Sequence, residues 1–137
     1  MPELDLTKEW LKYADNDLIV ARHLIEDMHP KQTEISAYHS QQCAEKSLKA
    51  FLFFKDIEPP KIHNLPKLCE LCKNIDAEFS SLEIDCERLN PYGSAVRYPN
   101  ELAPDEIIAK AALDRAQKIC SFCKAKIEGK RNEKQTA

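Results

Sequence analysis

Trp10, Ala14, Leu18, Ala21, Ile25 and Met28 recur at steps of three and four. Spacing of this kind sets all six on one face of a helix and leaves little freedom for any other conformation. The helix runs from about Thr7 to Met28, with Asp5 or Thr7 placed to cap its start and Pro30 to stop it. The pattern returns further on. Between Glu34 and Lys55, Ala37, Ala44, Leu48, Phe51 and Leu52 form an apolar face, and the loop Asp56-Ile57-Glu58-Pro59-Pro60 breaks the helix. Asn64 caps a third helix to about Ile75, with Leu65, Leu68, Cys72 and Ile75 inward. A shorter fourth helix covers Ala77 to Leu89. The stretch Asn90 to Pro99, holding Pro91, Gly93 and Pro99, is irregular. A fifth helix takes Pro104 at its first position and Gly129 at C′, with Ile108, Ala112, Ile119, Cys120, Cys123 and Ile127 inward.

No strand fits this scheme. Two glycines in 137 residues are too few for a sheet of many tight hairpins, and Val96 to Tyr98 runs straight into Pro99. The prediction is an all-α, antiparallel up-and-down bundle of four to five helices, one domain over residues 1–129, with a flexible tail over 130–137. The longest strongly apolar run, Ala50-Phe51-Leu52-Phe53-Phe54, is far short of a membrane span. The acidic start Met1-Pro2-Glu3-Leu4-Asp5 lacks the apolar stretch of a secretory signal, so a reducing, cytoplasmic setting is expected. A formal net charge of -3 argues against a globally basic nucleic-acid binder, while leaving room for a local basic patch.

Six cysteines, Cys43, Cys69, Cys72, Cys86, Cys120 and Cys123, include two C-x-x-C pairs. Four thiolates could hold zinc, but zinc knuckles usually sit on tight turns, and both pairs here fall inside helical runs. Residues i and i+3 of a helix share a face, so core packing is the favoured reading, with redox chemistry and a zinc-stabilised structure the rivals. No metal or cofactor is expected.

His39, Gln42, Lys46 and Lys49 also share one helical face, flanked by Gln41 and Glu45. Most charged helical faces are simply solvated. This one mixes imidazole, amide and ammonium groups on a helix whose remainder is strongly apolar, so its polar groups need partners.

The run Tyr38-His39-Ser40-Gln41-Gln42-Cys43-Ala44-Glu45-Lys46-Ser47-Leu48-Lys49-Ala50 resembles the signature helix of HEPN-domain proteins. Further pieces follow in the family's order: His63-Asn64-Leu65, Leu89 with Tyr92, and Arg97-Tyr98-Pro99. Trp10-Leu11-Lys12-Tyr13-Ala14 with Asp17-Leu18 looks like the family's first helix, so the resemblance spans about residues 6 to 128. It implies a helical bundle, often a homodimer, commonly encoded with and bound to a minimal nucleotidyltransferase. It also implies a nucleotide or phosphate site, for which His39, Gln42, Lys46, Lys49, His63, Arg97 and Tyr98 are the candidates. Arg97 has a second possible role, pairing with Glu45 to hold its loop to the second helix.

Some branches of the family are metal-independent ribonuclease toxins of toxin–antitoxin pairs, with Arg followed by four to six residues and His near the start of a late helix. Such chemistry needs an acid or base and a cation for the transferring phosphate. Here the residues after Arg97 are Tyr98, Pro99, Asn100, Glu101, Leu102, Ala103 and Pro104, and no histidine follows His63. Arg22, six residues and His29 match the spacing only at the end of the first helix. A non-catalytic binding module is therefore the expected function. An RNA-cleaving toxin is the alternative, with His39 and His63 its best-placed pair.

Overall fold

The computed structural model describes residues 5–94 and 103–136. Among them every regular element is helical: α1 (Leu6–Glu26), α2 (Thr33–Phe54), α3 (Leu65–Ile75), α4 (Glu83–Leu89) and α5 (Glu106–Thr136), with short 3-10 turns at Ala77–Leu82 and Asn90–Gly93. None of the helices is long and apolar enough to cross a membrane.

Side-chain chemistry at the ends explains where most of these helices begin. Asp5 caps α1 by accepting from the Lys8 amide at 3.2 Å, and Asn64 caps α3 through the Lys67 amide at 3.0 Å. The α2 helix ends before the prolines of its loop. Asp56 takes the left-handed conformation (φ 59°), which lets its own amide reach Phe53 O and that of Ile57 reach Leu52 O, both at 2.9 Å. This is a Schellman turn with aspartate where glycine is usual.

The core runs through the middle of the bundle. α2 packs against all four other helices. On its line of contact with α1, the small residues Ala14, Ala21, Ala37 and Ala44 are fully buried, letting the two rods approach closely. Phe51, Phe79 and Phe122 stack across the centre, with ring centroids 4.5 and 4.9 Å apart. All six cysteines are free and buried in this core, as their helical spacing predicted. Among the described residues, no three metal-ligating side chains come together.

Four sequence expectations need correction. The fourth helix is split, because Asp76 caps a 3-10 turn through the Glu78 amide and α4 proper begins only at Glu83. The α5 helix starts two residues after Pro104, because Asp105 accepts from the Ile108 amide at 2.8 Å and so sets the cap. On α5, Ala109, Ala112, Leu113 and Ala116 face inward while Ile108 is exposed, and on α3 Cys69 is buried while Ile75 is exposed. Lastly, α5 does not stop at Gly129 but passes through it to Thr136, so that glycine is no C′ residue.

Candidate functional site

The polar ridge of α2 faces α1 and the start of α3, and carboxylates meet it from within the fold. Asp17 projects from α1 beside the core residues Ala14, Leu18 and Ala21. Its Oδ1 lies 2.9 Å from His39 Nδ1, and its Oδ2 accepts from Lys46 Nζ at 2.6 Å. One turn along α2, Glu45 holds a second set: Oε2 accepts from Lys49 Nζ at 3.2 Å, and Oε1 lies 2.9 Å from His63 Nδ1. Aromatic rings of α1 back the two ammonium groups, with Lys46 6.0 Å from the Tyr13 centroid and Lys49 5.6 Å from that of Trp10.

Amides complete the network. Gln42 Nε2 donates to Gln41 Oε1 at 2.7 Å, and Gln41 Nε2 donates to the His63 carbonyl at 3.1 Å. Gly93 closes over Gln41: a Cβ there would lie 3.0 Å from Nε2, so a side chain at this position would press on a fully buried amide. Arg97 and Tyr98, and the expected Arg97–Glu45 pair, lie outside the described residues.

Each carboxylate is thus shared by one lysine and one histidine. Each ridge lysine has a carboxylate partner of its own. Burial raises the stakes, since Glu45 and Lys49 are almost wholly enclosed and an unpaired ion there is costly. Chemically, a carboxylate on Nδ1 fixes an imidazole's orientation, and both His39 and His63 are held in this way. The other spacing match is not assembled: Arg22 donates to Gln117 on α5 at 2.9 Å, while His29 lies beyond the end of α1.

The structure thus places these residues in two clusters: His39 and Lys46 meet at Asp17, while Lys49, His63 and, through Gln41, Gln42 gather around Glu45. Sequence reasoning missed Asp17 and underrated Gln41. A single acid inside the α1 apolar stripe was the available sign for Asp17.

The thiols form a separate set. Hydrogen bonding between Cys43 and Cys120 draws the Cys120 thiol below its usual range and pushes Cys43 up, and Cys69 and Cys86 repeat the arrangement, with Cys69 lowered and Cys86 raised. Burial raises Cys72 and Cys123. All six are enclosed, which suits packing rather than reaction with a solute.

The HEPN domain model matches residues 7–127. Two solved structures share the fold. TT1696 from Thermus thermophilus superposes with a TM-score of 0.76 at 24% identity, covering 90% of this chain and 99% of its own. ST0689, described as an archaeal HEPN homologue, gives a TM-score of 0.68 at 26% identity, covering 88% and 97%. No curated protein matches the sequence.

Proposed function

The chain belongs to the HEPN domain family, and from that premise we propose that it is a non-catalytic binding module. In this reading it pairs with a second copy of itself and with a minimal nucleotidyltransferase subunit. One observation carries the proposal. On α1, Tyr13 and Val20 flank Asp17, and on α2, Ile35 precedes His39, Gln42 and Lys46 on the same face. Tyr13, Val20 and Ile35 are 50%, 39% and 49% exposed. The two rows form an apolar strip around a centre in which each lysine is paired with a carboxylate. A surface of this make-up can be covered by another protein without stranding an ion.

Within this reading His39, Gln42, Lys46, Lys49 and His63 shape the docking face, and Arg97 and Tyr98 are counted with them on the sequence resemblance alone. A nucleotide or phosphate bound on the ridge has to draw a cation away from Asp17 or Glu45. The contribution of the module is then to position or occlude its partner rather than to break a bond.

Light scattering at micromolar concentration tests the self-association. A dimer is expected, with Val20→Asp plus Ile35→Asp giving a folded monomer. Purification from the native cell tests the second partner, which is expected to be a nucleotidyltransferase subunit. A wild-type monomer that brings down no such subunit overturns the proposal. A co-purifying RNA fragment, cleaved without added metal, points to the ribonuclease alternative.

A further inference from the structure

Away from the ridge, α4 and α5 run antiparallel with a groove between them. Lys118 Nζ donates to the Ser81 carbonyl at 3.4 Å, and Arg115 Nη1 donates to Asp85 Oδ1 at 2.8 Å. Further along, Arg88 and Tyr92 face Ile108, Ala111, Ala112 and Arg115 across a depression of about 250 Å³. The two alanines leave its floor recessed between longer side chains, and Tyr92 packs on the core behind it.

The charges here are arranged unlike those of the ridge. Asp85 is buried and takes two cations, Arg115 on one oxygen and Lys118 at 2.7 Å on the other. Asp114 lies in the adjoining depression with Arg115 and Lys118. Arg88, one turn beyond Asp85 and exposed, has no ion-pair partner among the described residues. Three cations thus stand against two carboxylates, on a chain whose net charge is -3. The Asp85 contact engages one edge of the Arg115 guanidinium and fixes it, leaving N–H groups that Asp85 does not use.

We infer that this groove binds a phosphate monoester whose body includes a flat ring. The phosphate sits between Arg88 and Arg115, and the ring lies over Tyr92, Ile108 and the two alanines. Two planar guanidinium groups suit a dianion with several acceptor oxygens better than a monoanionic carboxylate, which one fork already satisfies. The volume sets the size. Pockets for drug-sized ligands span roughly 300–1,000 Å³, so this depression takes a phosphate and one ring system. The phosphate could belong to a free small molecule or to the 5′ end of a nucleic acid; the groups that recognise it are the same.

Amide-resolved NMR titration of the full chain tests the assignment with three probes: inorganic phosphate, phenyl phosphate and a 5′-phosphorylated dinucleotide. Phenyl phosphate is expected to shift the amides of Arg88, Tyr92, Ile108 and Ala112. It should bind about tenfold more tightly than inorganic phosphate, through the ring contact. Arg88→Gln should weaken it by about tenfold or more with an unchanged thermal midpoint, while Lys46→Gln on the ridge leaves it unaltered. Tighter binding of the dinucleotide at the same amides identifies a nucleic-acid end, and weaker binding a free small molecule; either supports the site. Shifts that map to α2, or equal affinity in wild type and Arg88→Gln, overturn it. The outcome is independent of whether the α1–α2 face dimerises, because no residue is shared between the two surfaces.

Discussion

The α1–α2 ridge and the α4–α5 groove both gather basic side chains, and they treat them in opposite ways. On the ridge, Lys46 and Lys49 each meet a carboxylate supplied by the fold, and Glu45 and Lys49 are nearly sealed from water. In the groove, Asp85 is shared by Arg115 and Lys118 while Arg88 pairs with none of the described residues. Sequence spacing alone marks the ridge as the richer basic cluster. If the groove binds phosphate as inferred, available charge rather than the number of cations marks an anion site. A lysine already neutralised at 2.6 Å has little left to offer a phosphate.

The comparison breaks most readily at Glu45. Glu45→Ala strands Lys49 in a buried position and should cost about 3–5 kcal/mol, read as a fall in the urea midpoint. A loss below about 1 kcal/mol would mean that the ridge pairs are no more than surface contacts. Asp17→Asn comes next. It keeps the size but loses the charge that holds Lys46 and His39, for an expected cost of about 1.5–3 kcal/mol.

A half-buried pair away from the ridge supplies the reference. Lys126 donates to Asp76 at 2.8 Å and holds its carboxyl below the ordinary value of 3.8. The resulting stability is complete above pH 3.8 and is lost as pH falls through the depressed folded value. Asp76→Asn keeps a capping side chain for the Glu78 amide. It should therefore cost only about 0.2–1 kcal/mol near neutral pH, with the difference from wild type vanishing in acid. The smallest effect belongs to the groove: Arg88→Ala should leave the urea midpoint within about 0.5 kcal/mol of wild type. A larger loss would place Arg88 among the structural pairs and erase the contrast.

Local chemistry made much of the fold legible. The α1 stripe and the Asn64 cap read correctly because a three-four spacing and an Asx side chain act within one or two turns. The start of α5 was misread because Pro104 and Asp105 both signal a helix start, and only the aspartate can accept the Ile108 amide. Ile108 was misplaced because the packed face of α5 runs through Ala109, Ala112, Leu113 and Ala116, a choice set by the helices it packs on. Gly129 misled because glycine ends a helix only where the chain turns left-handed; inside a helix it is merely unfavourable, by about 1 kcal/mol relative to alanine.

The site was legible by halves. His39, Gln42, Lys46 and Lys49 share a helix, so their alignment follows from spacing. Asp17 comes from another helix, 22 residues before His39 and 29 before Lys46, and only the packing of α1 on α2 makes it their partner. The α4–α5 groove was invisible for the same reason. Arg88 and Arg115 lie on separate helices, and nothing in the spacing of either announces the other.

α2 serves two masters along a single rod: Ala44, Leu48 and Phe51 point to the core, while Lys46 and Lys49 point to the ridge. Adding or deleting one residue within it would turn everything downstream by roughly 100°, exchanging oily for ionic positions at a stroke. Chain-length variation between homologues should accordingly collect in the 56–62 connection and spare residues 36–52. That makes the length of this segment, and not only its composition, a signature by which other sequences with the same network can be found.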